Sequence, residues 1–200
     1  MSTELLRLYK DERSRMLSLD GEGDYQNPVF GEGPLGARLM LVGEAPGAEE
    51  AKRSRAFVGK AGETLSRLLD SVQLSRDEVF ITNAVKFRPV TRKIKSVSNR
   101  TPKPDEVLLS LPLLKQELLI VRPRVVATLG NTPLKALLRI AGQKSAVIGD
   151  VHGQSIEADA DGFSFVLFPL YHPASVIYNR ALTQTLAEDF IKLNALIKER

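Results

Sequence analysis

The chain of 200 residues contains no cysteine and no tryptophan, and its only histidines are His152 and His172. Without cysteine there is no disulfide, no thiolate metal site and no cysteine nucleophile. Two histidines exclude a three-histidine metal centre. No apolar run approaches the roughly 20 residues that a membrane span needs. The first fifteen residues mix Glu4, Arg7, Lys10, Asp11, Glu12, Arg13 and Arg15 among apolar positions, which leaves no secretory apolar region there. A soluble, cytoplasmic chain with no membrane partner is expected. Acid is missing from one stretch: residues 86–104 hold Lys86, Arg88, Arg92, Lys93, Lys95, Arg100 and Lys103 and no Asp or Glu. Those are seven of the 28 basic residues, and the other 21 face 24 acids, so the excess behind the net charge of +4 is local. Such a basic loop suits phosphates, although a solvated flexible loop has the same composition.

What is present centres on Leu39 to Gly62, LMLVGEAPGAEEAKRSRAFVGKAG. The apolar run from Leu39 to Val42 reads as a buried parallel strand, and Gly43 opens a glycine-rich turn after it. Gly43, Pro46 and Gly47 shape the turn, Glu44, Glu49 and Glu50 supply carboxylates, and Phe57 stands alone before Gly59 and Gly62. The phosphate-binding motif G-x-x-x-x-G-K-[ST] is absent, because Gly59-Lys60 continues into Ala61. Asp150 to Gly153 has the form of a metallophosphoesterase opening, but a two-metal site needs more histidines than this chain has.

At 43% hydrophobic content the chain fits one compact domain over residues 1–200, with residues 1–36 forming a first helix and a linker that dock on the rest. Helical spacing predicts an amphipathic helix over 3–17 and another over 64–73. Asp20 to Gly36, with five Gly and two Pro, reads as the linker. Ser75 and Glu78 form a capping-box pair before a strand at Val79 to Val85. Pro104 opens a Leu-rich helix in which Pro112 predicts a kink or break. Arg124 to Leu129 is a strand, and Thr132-Pro133 reads as N-cap and first residue of the next helix. Val151 to Ala158 and Phe163 to Phe168 read as strands around a turn at Asp159 to Gly162, and Leu182 to Lys198 as a closing helix. Strands alternating with helices imply an open, mostly parallel sheet covered on both faces.

In such a sheet the ends of the strands share one edge. Glu44, Glu50 and Phe57 follow the first strand, Asn83 ends the second, and Tyr171-His172-Pro173 follows a later one. An amide, an imidazole, an aromatic plane and carboxylates meeting in one crevice suit a planar polar base. Singly, each has a structural reading: Asn83 as a turn cap, Phe57 as a core aromatic, His172 as the partner of a carbonyl.

Five segments taken in order, GEAPGAEE with RAFVGKAG, VFITNAVKFRP, NRTPKPDE, VRPRVVATLGNTPLKALL and YHPAS, resemble the uracil-DNA glycosylase superfamily, closest to its family 4 branch, over about residues 29–200. The resemblance implies a three-layer α/β/α sandwich around a mostly parallel sheet of about four strands. It implies a monofunctional glycosylase acting on uracil-containing DNA, a monomer associated with the nucleoid. Phe57 would stack on the flipped base and Asn83 would read its edge, while Gly43, Ala45 and Gly47 would bring main-chain N–H groups close. His172, best neutral, would donate to uracil O2, and Asn99 would lie near the water and a phosphate. Glu44 or Glu50 would face the sugar, with Glu50 preferred for direct contact. Lys86, Arg88, Arg92, Lys93, Lys95 and Arg100 would contact DNA. So would Ser175 and Val176, with Val176, Ile177 or Tyr178 available to wedge into the stack.

Two departures matter. Family 4 members usually hold an iron–sulfur cluster on four cysteines; here those positions fall at Phe87 and Ser110, and the amino-terminal pair is absent. No cluster and no metal are expected, and Phe87 is expected to fill the space by apolar packing. The basic stretch is also longer than in that branch, with Asn99 where covalently trapping relatives carry histidine, so no covalent capture is expected. A catalytically silent or altered-specificity uracil- or DNA-binding relative is the second reading, and a nucleotide-handling enzyme the third.

Overall fold

The structure is a computed structural model that describes residues 3–19 and 23–200. Met1, Ser2 and the start of the linker, Asp20 to Glu22, lie outside the described residues. In chain order the elements are α1 (Thr3–Leu17), β1 (Gly23–Asp24), β2 (Leu39–Gly43), α2 (Ala48–Arg53), α3 (Lys60–Ser71), a single 3-10 turn (Arg76–Glu78), β3 (Phe80–Asn83), β4 (Arg88–Lys93) and β5 (Ser96–Asn99). There follow α4 (Pro104–Val121), β6 (Val125–Leu129), α5 (Asn131–Ile140), α6 (Ile148–Val151), β7 (Ile156–Ala160), β8 (Phe163–Leu170), α7 (Ser175–Tyr178) and α8 (Leu182–Glu199).

The central sheet has the order β3-β2-β6-β8-β7. Its first four strands are parallel and β7 runs antiparallel to β8. The four parallel strands match the count the resemblance implies, and β7, read in the sequence as a strand from residue 151, makes five. The added edge strand is the first arm of a hairpin whose turn residues, Asp161 and Gly162, both have positive φ, at 51° and 81°. Asp-Gly is favoured in that turn type because both central residues must enter the left-handed region.

Successive residues of β2 face opposite ways, as the two-residue period of a strand requires. Leu39 and Leu41 pack with Leu65, Leu69, Phe190 and Leu193, whereas Met40 and Val42 pack with Leu113, Leu118, Leu134 and Leu137. Thus α3 and α8 cover one face and α4 and α5 the other, and Leu39 to Val42 of β2 are all apolar because both faces are dry. A third, smaller cluster joins Met16 of α1 to Val85 and Phe87, with the Tyr25 ring tilted against Phe87 at a centroid distance of 4.4 Å.

Several local expectations change. The basic stretch is not a loop: β4 and β5 form an antiparallel ribbon from Val90 opposite Asn99 to Lys93 opposite Ser96. Pro112 does not break α4. It lies on the exposed side of the helix, as does Leu108 one turn earlier, and Leu113, Leu114 and Leu118 hold the following turns on the sheet. Thr132 is not the cap of α5, which starts from Gly130 at φ 98°. Residues 151–155 are not strand, since α6 and a left-handed Gly153 turn the chain before Ile156. The capping box at Ser75 is present: Glu78 Oε2 accepts from Ser75 N at 2.9 Å. Among the described residues no helix is long and apolar enough to cross a membrane.

Candidate functional site

The carboxyl ends of β2, β3 and β8 open on a cavity of about 350 Å³ lined by Gly47, Glu50, Phe57, Asn83, Asn99 and His172 among others. Parallel strands in register deliver this: Gly43 pairs with Asn83 across β2 and β3, so the glycine turn and the amide leave the sheet side by side. A Cβ on Gly43 would lie 2.3 Å from Asn83 Oδ1 and 2.6 Å from Phe57 Cζ. Glycine is thus needed there so that the ring and the amide can close in on the same space.

Phe57 is buried and sits at φ 52°, a left-handed conformation that an aromatic residue adopts only when its surroundings impose it. Arg76 imposes it by donating to the carbonyls of Phe57 at 3.1 Å and Ala56 at 2.5 Å, and is itself held by Glu32. From the other side α3 approaches so closely that a Cβ on Gly62 would lie 2.0 Å from the Phe57 carbonyl oxygen. The Phe57 ring faces His172 at a centroid distance of 6.1 Å.

Asn83 is 3% exposed. Its side-chain amide has no hydrogen-bond partner among the described residues, and it lines the cavity. His172 accepts a hydrogen bond at Nδ1 from Ala174 N at 3.1 Å, which places the proton of the neutral ring on Nε2. Burial lowers the His172 pKa to about 4, against the opposing pull of Glu50. The imidazole is therefore a neutral donor over the ordinary pH range. This pH dependence has a definite sign. With a folded-state pKa below the unfolded value of 6.5, His172 lets the unfolded chain bind more protons. Stability present above pH 6.5 is expected to decline as pH falls toward 4, in urea midpoints measured at pH 7.5, 6 and 5 on wild type and His172→Gln. The wild-type midpoint should fall more than that of the variant.

The two carboxylates occupy different places. Glu50 Oε1 accepts from Val58 N at 3.1 Å and Gly59 N at 2.8 Å, which anchors the loop after Phe57, and its carboxylate lines the cavity. Glu44 Oε2 accepts from Thr132 Oγ1 at 2.6 Å, which ties it to the first turn of α5. Gly47 leaves room beside Glu50: a Cβ there would lie 2.7 Å from Oε2 and 3.4 Å from Asn99 Nδ2. The Asn99 amide is oriented by Arg88, whose Nε donates to Oδ1 at 2.7 Å, so Nδ2 is turned to the Glu50 side.

Of the residues expected to contact DNA, Lys86 does not. It is fully buried, and Nζ donates to Glu117 Oε2 at 2.6 Å, Asn83 O at 2.6 Å and Thr82 Oγ1 at 2.7 Å. A basic residue in a basic run is no guide to exposure when the strand turns it inward onto a buried acid. Arg100 is likewise engaged: it grips Glu106 through two contacts of 2.6 and 2.7 Å, and these outweigh burial to hold the Glu106 carboxyl below its usual range. Ser175 Oγ donates to the His172 carbonyl and Val176 packs against the apolar cluster on that side of the sheet, and both are half-buried. Ile177 and Tyr178 do project. Arg92, Lys93 and Lys95 are exposed. His152, outside the cavity, is held by Asp189 at 2.6 Å and lies tilted against the Tyr171 ring at 4.7 Å between centroids, a structural pair.

Sequence reading missed Arg76, Thr132 and the Lys86–Glu117 pair. Thr132 alone carried a signal, since it follows β6 at the same sheet edge as the glycine turn. The positions at which the resemblance places cluster ligands do not fit iron. Phe87 is fully buried among Met16, Val85 and Tyr25, and Ser110 has a buried hydroxyl with no hydrogen-bond partner. Among the described residues no group of three or more His, Cys, Asp or Glu could hold a metal.

Comparison with known proteins adds an independent line. Residues 30–197 match the family described as the Uracil DNA glycosylase superfamily. The type-4 uracil-DNA glycosylase of Saccharolobus solfataricus is 38% identical over 88% of this chain and 78% of its own. That of Sulfurisphaera tokodaii is 39% identical over 85% and 74%, and that of Pyrobaculum aerophilum 40% identical over 82% and 80%.

Proposed function

The chain belongs to the uracil-DNA glycosylase superfamily, and on that premise we propose that it excises uracil from DNA by hydrolysing the N-glycosidic bond, leaving an abasic site. The observation that carries the reading is the unpartnered Asn83 amide, aimed into a cavity that also holds the Phe57 ring and a His172 donor of fixed tautomer. An amide donates to O4 and accepts from N3–H of uracil, whereas cytosine presents the reverse pattern at the same edge.

Phe57 takes the face of the extruded base. As the bond from the sugar C1′ to N1 breaks, its electron pair moves onto the base, and charge gathers at O2, where His172 Nε2–H donates without needing to lose a proton. The sugar becomes cationic, and the Glu50 carboxylate, together with the Asn99 amide, is suited to face it and to orient the water whose oxygen bonds to C1′; the proton that water loses passes to the Glu50 carboxylate, and the departing uracil anion takes one up from solvent. Glu44, tied to Thr132, acts at one remove by holding the glycine turn against α5. Arg88 is a positioning residue for Asn99.

The test is release of uracil from a labelled oligonucleotide under single turnover, with the folded full chain in excess. Release leaving an alkali-labile abasic site is expected; none from single- or double-stranded substrate sinks the reading. Asn83→Asp replaces the donor with a carboxylate, and one good bidentate base contact is worth about 1–3 kcal/mol of discrimination. The ratio of uracil to cytosine excision should accordingly drop by roughly 10- to 100-fold, measured as competing kcat/KM values.

A further inference from the structure

The β4–β5 ribbon has an unusual surface. Arg92, Lys93 and Lys95 have no hydrogen-bond or ion-pair partner among the described residues, and no acid lies within residues 86–104. Some exposed cations elsewhere are matched, Arg53 with Glu49, Arg55 with Glu32 and Lys115 with Asp161, and others such as Lys52, Lys135 and Lys144 are not, among the described residues; what sets the ribbon apart is that its three cations stand together with no acid in the same stretch. Between Lys93 and Lys95 stands Ile94, fully exposed at the two-residue turn, and Val97 is also exposed. An aliphatic side chain held at the outermost point of a cationic ribbon gains nothing in the free protein.

The ribbon starts at the cavity. Asn99 lines it, and the two-residue period places Arg88, Arg92, Val97 and Asn99 on one face. DNA delivering a base to the cavity therefore runs along the face that bears Arg92 and Val97. From Asn99 the ribbon extends four to five residues, or about 14–17 Å at roughly 3.4 Å per residue. One DNA strand advances about 3.4 Å per nucleotide, so the tip reaches about four to five nucleotides from the extruded base. A two-stranded ribbon fits the major groove, about 12 Å wide, and not the minor groove, about 6 Å wide.

We propose that the β4–β5 ribbon is a duplex-binding arm that lies in the major groove about four to five base pairs from the extruded nucleotide. Arg92 and Lys95, on the face toward the groove, and Lys93, reaching from the opposite face to the groove's wall, contact phosphates, and Ile94 packs on the floor, where thymine methyl groups offer apolar contact. The arm makes paired DNA the preferred substrate, since a single strand offers no groove. Only the orientation of the DNA rests on the function proposed above.

The experiment compares the full chain with an Arg92→Ala/Lys93→Ala/Lys95→Ala variant and with Ile94→Ser, all at exposed positions. Binding to an undamaged 30-base-pair duplex and to its single strand is followed by fluorescence anisotropy across a salt series. Three lost phosphate contacts should lower the log–log salt slope on duplex by about 2.7, at roughly 0.9 per contact, and by less than about 1 on single strand. Guanine N7 groups placed four and five base pairs from a non-cleavable uracil analogue should be shielded from dimethyl sulfate by wild type. Both variants should leave them open. Equal slope changes on the two substrates, or N7 groups unshielded by wild type, would overturn the proposal. Binding to undamaged duplex does not depend on excision. A protein that shows the slope change yet releases no uracil refutes the activity and keeps the arm, and excision with an unchanged slope does the reverse.

Discussion

His172→Ala is expected to slow uracil release by about 10²- to 10³-fold under single turnover, the range found when one donor to a developing oxyanion is removed. The loss should fall on the chemical step. In the ground state uracil O2 is a neutral carbonyl oxygen, and a hydrogen bond to it replaces one from water at little net gain. In the transition state the same oxygen bears charge, and the Nε2–H donor is already in place because Ala174 N occupies Nδ1. The dissociation constant for uracil-containing duplex should therefore change by less than about threefold while the rate collapses. His172→Gln, which retains a donor on a shorter and freer side chain, should fall between the two. The wild-type rate should be insensitive to His172 protonation from pH 8 down to 5, because burial holds its pKa at about 4. A rate loss under tenfold for the alanine variant, or a descending limb centred near pH 6.5, would remove the neutral imidazole from the reaction.

The second large effect is on stability. Lys86→Met is expected to cost about 3–5 kcal/mol, the usual penalty for leaving one member of a buried ion pair without its partner. Lys86 and Glu117 are both fully buried, and the carboxylate also takes Tyr9 OH at 2.8 Å, Thr82 Oγ1 at 2.9 Å and Gly31 N at 3.2 Å. Burial lowers the Lys86 pKa, and Glu117 pulls against that. Burial, and beside it the same carboxylate, pushes the Tyr9 phenol up. With domains stable by about 5–15 kcal/mol, the variant should melt roughly 6–20 °C lower, at about 2–4 °C per kcal/mol for this length. Because Lys86 Nζ also holds the Asn83 carbonyl, discrimination between uracil and cytosine should weaken in the variant while its duplex salt slope stays that of wild type. An unchanged melting temperature with a reduced slope would restore Lys86 to the DNA contacts, against its burial here.

Legibility in the sequence followed the physics of each element. The strands of the central sheet were readable because parallel strands dry on both faces are continuously apolar: LMLV, FIT and VVATL can be little else. The Asp161-Gly162 hairpin was readable because its backbone demands residues that tolerate positive φ. The ribbon was not, because its turn, Ile94-Lys95, carries neither Gly nor Asn and its outer half is exposed on both faces, which removes the alternation that marks a strand. Pro112 misled because the rule against proline in helices is weakest on an exposed face, where Pro112 and Leu108 both lie. Lys86 misled because charge in a basic run reads as surface until a buried acid 31 residues away is seen beside it.

By itself the sequence determined the chemistry available: no thiol, one histidine near a strand end, an amide at another, an isolated aromatic in a glycine turn, and a family pattern whose cluster ligands are missing. These are statements about which groups exist and in what order, and composition and periodicity are enough to make them. The tertiary structure alone decided which groups meet. It separated Glu50 from Glu44, one carboxylate facing the cavity and the other bound to Thr132. It turned Lys86 inward and left Arg92, Lys93 and Lys95 outside. The reason is that a charge, an amide or an imidazole acts through distances of a few ångströms, and such distances arise between residues far apart in the chain only when the sheet brings its strand ends together.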